Sequence, residues 1–140
     1  MRLVLAVLLL SPLTALAQPV DVAALYDVTT EGSTAKLKAG EQGKLVIAFK
    51  LKGGAHVSDE APLKIELAGK GAKLSKDKLT LADSVNPRAA GAKDYPEPRF
   101  EIPFSVSAAA TIDARLSFFI CTEKLCARQT KQLSLPVEVL

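Results

Sequence analysis

Apolar side chains recur at every second position over long stretches of this chain, a spacing that suits strands with one buried face and not helices. Leu45, Ile47, Phe49 and Leu51 share one phase within Lys44–Leu51. Phe100, Ile102, Phe104 and Val106 form a second set, and Ala114, Leu116, Phe118 and Ile120 a third. Leu133, Leu135, Val137 and Val139 close the chain in the same way. Leu63–Leu67, Leu79–Leu81 and a stretch within Val22–Val28 are shorter candidates. Glycines at Gly40 to Gly43, Gly53-Gly54 and Gly69 to Gly71 mark turns between them. Ala108-Ala109-Ala110 is too short for a helix and runs into β-branched Thr111 and Ile112. About seven short strands separated by turns predict an all-β domain, an immunoglobulin-like antiparallel β-sandwich, with a small barrel as the alternative.

The N-terminus carries a different signal. Arg2 precedes an unbroken apolar run from Leu3 to Leu10, Ser11-Pro12 interrupts it, and Ala15-Leu16-Ala17 supplies small residues. That layout is expected of a secretory signal peptide, residues 1–17, cut before Gln18. The run falls short of the roughly 20 apolar residues that span a bilayer. Residues 18–140 are then expected to form a single exported domain, which is not membrane-spanning once the signal is cleaved. Removing Arg2 leaves 17 basic and 15 acidic side chains, a net charge of +2. The two signs are interspersed, which argues against nucleic acid as a partner, because a phosphate-binding face concentrates Lys and Arg.

The two cysteines, Cys121 and Cys126, are expected to pair. Cys121 ends a strand, Thr122-Glu123-Lys124-Leu125 forms a hairpin loop, and Cys126 falls opposite, where facing Cα atoms come within disulfide reach. Cys121 is in phase with Phe119 and Ser117, so it is expected to point away from the main core, more firmly than Cys126. A plain continuation of the hairpin would put Gln129 and Lys131 on the core side, so a bulge or break is expected between Cys126 and Leu133. A disulfide closing so short a loop stabilises by only about 2 kcal/mol, against nearly 5 for a 100-residue loop. It is therefore a weak staple, and redox exchange is the favoured role, with a structural disulfide as the alternative. Lys124 and Arg128 would favour a thiolate, and Glu123 would oppose it.

Other chemistry is sparse. Two cysteines and the single His56 do not make a four-ligand zinc site, although Cu(I) needs fewer soft ligands. No metal and no bound cofactor is expected. His56 reads as a surface histidine at the start of a strand, and Asp59 and Glu60 as turn residues. Ala82 to Arg99 holds Pro87, Pro96 and Pro98 with no period. Loops this long are either functional or sheet-to-sheet crossovers.

From Gly40 to Leu140 the chain resembles the periplasmic N-terminal domain of DsbD, a transmembrane thiol:disulfide interchange protein. The resemblance rests on Leu116-Ser117-Phe118-Phe119-Ile120-Cys121, the four-residue spacing to Cys126, and Leu133-Ser134-Leu135-Pro136-Val137. Gly53-Gly54-Ala55-His56-Val57 with Pro62-Leu63-Lys64-Ile65, and Arg99 to Val106, extend it upstream. It implies an immunoglobulin-like fold and a Cys121/Cys126 couple that relays electrons to other periplasmic thiol/disulfide proteins. It also implies a loop covering the couple. Pro87–Pro98 stands where that loop would be, with Tyr95 as the aromatic cap. A copy without the family's membrane domain is expected to meet a membrane reductant in trans. Four residues separate the cysteines where the best-known members have five. Ala127-Arg128-Gln129 replaces the aromatic and proline residues usual after the second cysteine. The fold therefore carries over more readily than the activity.

Overall fold

The alternating stretches become strands in a computed structural model that describes residues 18–140; the expected signal segment lies outside the described residues. Eight strands follow in chain order. They are β1 (Tyr26–Thr29), β2 (Lys36–Leu37), β3 (Gln42–Leu51), β4 (His56–Val57), β5 (Lys64–Leu74), β6 (Lys78–Leu79), β7 (Arg99–Cys121) and β8 (Cys126–Val139). Strand expected within Val22–Val28 begins at Tyr26, after a 3-10 turn at Val22–Leu25, and that expected at Leu79–Leu81 ends at Leu79, before a 3-10 turn at Leu81–Asp83. No α-helix occurs among the described residues.

The two stretches Phe100–Val106 and Ala114–Ile120 are one strand of 23 residues. Its even-numbered side chains from Phe100 to Ile120 are buried throughout, apart from Ala108. Residues 99–105 pair antiparallel with β3, and residues 110–121 pair antiparallel with β8. Along the other side, β5 follows both halves, and β4 takes up the end at Ile120 and Cys121.

Where β7 changes partners, its register against β5 shifts. Lys70 faces Thr111 and Ala72 faces Val106, so residues 107–110 stand against Gly71 alone. Gly71 has φ +82°, and a Cβ there would lie 3.4 Å from both the Ala109 carbonyl oxygen and the Ala110 Cβ. Small residues at Ala108, Ala109 and Ala110 let the strand bend at this point. The two halves of the sheet thereby fold face to face. Phe118, from the second half, meets Phe49 and Tyr26 edge-on at ring separations of 5.0 and 5.2 Å. Such packing of one inner face on the other makes an all-β sandwich. Every strand pair is antiparallel except β2 with β8.

The bulge expected between Cys126 and Leu133 is absent. The β7–β8 register runs unbroken from Ala110↔Val137 to Cys121↔Cys126. Polar residues on the inward phase of β8 are accommodated in two ways. Gln129 is half-buried and accepts a hydrogen bond from the Tyr26 hydroxyl at 3.0 Å. Lys131 is exposed, beyond the reach of the opposite layer.

Candidate functional site

The hairpin joining β7 to β8 carries both cysteines, and the order of its residues explains its shape. Thr122 follows Cys121 and folds the tip: its N–H donates to the Leu125 carbonyl at 2.7 Å. Its hydroxyl oxygen accepts from the N–H groups of Lys124 and Leu125 at 3.2 and 3.3 Å. A Thr hydroxyl satisfying nearby backbone donors is a common way to hold a tight turn. Glu123 and Lys124 are left at the tip, and Cys121 and Cys126 face each other below it. Their Cα atoms are 4.0 Å apart and a disulfide joins them.

Both cysteines lie on the outer face of the sheet, out of phase with Ile120 and Phe118, but their exposure differs from expectation. Cys121 is only 4 % exposed, whereas Cys126 is open to solvent. The reason is their neighbours. Cys121 lies between β8 and β4, while Cys126 has β7 on one side and, among the described residues, no strand on the other. The side chain of His56 stands on the same face as Cys121, because directly paired residues share a face. The short β4 is held there by its register with Cys121 and Ile120 and by the Ser58 N–H donating to Phe119 O at 2.9 Å.

The long loop closes over this side. Its neck is tied by the Val85 N–H to Arg99 O at 2.8 Å, and Asn86 bridges to Glu97 and to Arg99. Its base is pinned to β3, where the Phe49 N–H donates to Pro98 O and the Leu51 N–H to the Glu97 carboxylate. The loop places Tyr95 in a stack on His56, with ring centroids 3.7 Å apart and planes 22° from parallel. Arg88 lies 3.9 Å from the centre of the Tyr95 ring. Two groups this close to one ring can only take its opposite faces, so Arg88, Tyr95 and His56 form three layers leading to Cys121. Arg88 in turn donates to Asp59 at 2.8 Å and to the Ala92 carbonyl. The hydrogen bond from Arg88 holds the Asp59 carboxyl below its usual range. The same bond raises the Arg88 guanidinium. The cavity left beneath the loop is only about 20 Å³, so the loop is packed down on β4.

Tyr95 therefore stacks on the residue paired with Cys121. It remains 36 % exposed. The sequence points to the cysteines and the loop, but reads His56 as a surface residue at a strand start and Asp59 as a turn residue. The signal that places His56 is topological: β4 must pair with the end of β7, and two residues show no periodicity.

Among the described residues no three His, Cys, Asp or Glu side chains gather as a metal site would require. No helix among them is long and apolar enough to cross a membrane. No protein-family model matches the chain, and no curated protein matches it.

Proposed function

We propose that this is a thiol:disulfide interchange module acting outside the cytoplasm, with Cys121 and Cys126 as its redox couple. The observation that carries the reading is the asymmetry of the couple: Cys126 is exposed at a strand edge and Cys121 is buried between two neighbouring strands. A partner thiolate attacks the exposed Cys126 sulfur, the disulfide breaks, and Cys121 departs as the thiolate. The partner's second thiol then resolves the mixed disulfide. The partner leaves oxidised by two electrons, and the couple is left as a dithiol. In the opposite direction Cys126 attacks a partner disulfide and Cys121 resolves it. Arg128, in phase with Cys126 on β8, favours the thiolate.

The resemblance to the N-terminal domain of DsbD supports the same reading and implies an immunoglobulin-like topology for the sandwich. Under it the signal segment directs the chain to the periplasm, where other thiol/disulfide proteins, including a membrane reductant, are the partners. Tyr95 and His56 cover the Cys121 side, which channels attack to Cys126.

A second reading has an observation of its own. A largely buried Cys121 suits an inert disulfide in a binding domain. A redox titration separates the two. The interchange reading expects a midpoint potential more oxidising than about −300 mV, and a lower value would sink it. It also expects the Cys121→Ser variant to trap a mixed disulfide through Cys126, with much less trapping by Cys126→Ser. With the cover removed in Tyr95→Ala, reduction by dithiothreitol should be faster than in the parent protein. An unchanged rate would remove Tyr95 from the mechanism.

A further inference from the structure

The outer face of β5, β7 and β8 forms an open groove of about 820 Å³ that runs up to Phe119 and Arg128, the cross-strand pair next to the disulfide on that face. Three cations project from this face, Lys64, Arg115 and Arg128, and Lys131 borders it from the inward phase of β8. One carboxylate, Glu66, stands among them, and Phe119 supplies an apolar patch next to Cys121. The face thus holds a net charge of +2, as much as residues 18–140 together.

What sets these cations apart is their gathering on one face, since Lys38, Lys50, Lys73, Lys78, Lys93 and Lys124 elsewhere are equally without an ion pair among the described residues. Seven ion pairs are made among the described residues, and none includes Lys64, Arg115, Arg128 or Lys131. Arg128 touches only the hydroxyl of Ser117, at 3.3 Å. Unpaired like charges brought together across three strands repel one another, and an anionic occupant would relieve that repulsion.

The wall of the groove indicates what kind of anion. β8 pairs with β2 only at Glu138 and Val139. From Cys126 to Val137 its outer edge carries no strand among the described residues. A free strand edge offers a row of backbone donors and acceptors that an extended polypeptide can match and a nucleic acid or a lipid headgroup cannot. The shape, the charge and the edge agree on one occupant.

We infer that this groove docks an extended acidic segment of the protein whose cysteines exchange with the couple. The inference rests on the interchange reading for its choice of partner. Docking along β8 runs the segment toward the exposed Cys126 sulfur and sets its own sulfur against the bond to be broken. The groove gives encounter and orientation, and the couple gives chemistry.

The test is binding of a fluorescein-labelled, cysteine-free peptide of alternating Glu and Thr to the oxidised protein, read by fluorescence anisotropy. Its counterpart of alternating Lys and Thr serves as the comparison. The acidic peptide should bind at least about tenfold more tightly, and its affinity should fall with added salt. Arg115→Glu/Arg128→Glu should remove about tenfold of that affinity, while Lys38→Glu/Lys50→Glu, away from the groove, should remove far less. Equal binding of the two peptides, or equal losses in the two double variants, would overturn the inference. Stronger competition by an oligodeoxythymidylate of equal charge than by unlabelled acidic peptide would overturn it too. Because the peptide has no sulfur, binding is read independently of exchange. Acidic-peptide binding by a protein whose disulfide resists all thiols would retain the groove and discard the redox role. Rapid exchange with dithiothreitol and no peptide preference would do the reverse.

Discussion

Gln129 occupies an inward position on β8, and the Tyr26 hydroxyl meets its side-chain oxygen from the opposite layer. One hydrogen bond across the sandwich thereby lets a polar residue continue a strand that its pattern alone would interrupt. Tyr26 also packs edge-on against Phe118, so its ring belongs to the core while its hydroxyl serves β8. Tyr26→Phe keeps the ring and removes the donor. It should lower stability to urea at neutral pH by about 1 kcal/mol. Burial raises the Tyr26 phenol above its ordinary value. A neutral group with a raised folded value contributes stability that is fully present below the unfolded value, about 10. That contribution is lost as pH rises through the folded value. The gap between parent and Tyr26→Phe should therefore close above about pH 10, which urea titrations at several alkaline pH values would check.

At the scale of the element, β7 depends on the bend opposite Gly71. Alanine at this position must adopt a left-handed conformation and also approach Ala109 and Ala110. Gly71→Ala should cost about 1–2 kcal/mol by urea denaturation, from backbone strain alone. The same bend explains what the sequence could and could not reveal. Strands such as β3 and the two halves of β7 were legible because each buries one set of alternate positions and, Val46 of β3 apart, leaves the other set more open. Their continuity was not, because residues 107–109 are exposed on both sides and Ala108-Ala109-Ala110 shows no contrast between faces. β2 and β4, two residues each, are too short to show a period at all. In the site, the cysteine pairing was legible from a four-residue loop. The burial of Cys121 was not, since it depends on β4, a strand from far upstream. Tyr95 was singled out by resemblance, and its seat on His56 needed the path of the whole loop. The smooth β7–β8 register was misjudged because alternation says nothing of a partner such as Tyr26 in the other layer.

At the scale of the molecule, the core is continuous across both layers and owes little to the disulfide. The cluster runs from Tyr26 and Val28 through Phe49, Phe100 and Phe104 to Phe118, Leu135 and Val137. Phe100, Phe104 and Phe118 are among its largest fully buried side chains. Cys121 stands outside this cluster on the other face of β7. Replacing both cysteines in Cys121→Ser/Cys126→Ser should lower stability to urea by only about 2 kcal/mol, with the far-ultraviolet circular dichroism unchanged. Loss of the β spectrum would instead make the bond a requirement of folding. The single long strand has one more consequence. The neck of the covering loop opens β7 at Arg99, and the cysteine hairpin closes it at Cys121. Odd and even positions keep their meaning along its whole length, as in a two-letter frame. One residue inserted between Ala110 and Phe118 would exchange the letters downstream, turning Cys121 toward the interior and Phe118 toward water. Two residues would restore them. Length change in this stretch is thus tolerable only in pairs, and the parity of β7 keeps the sulfur pair facing outward.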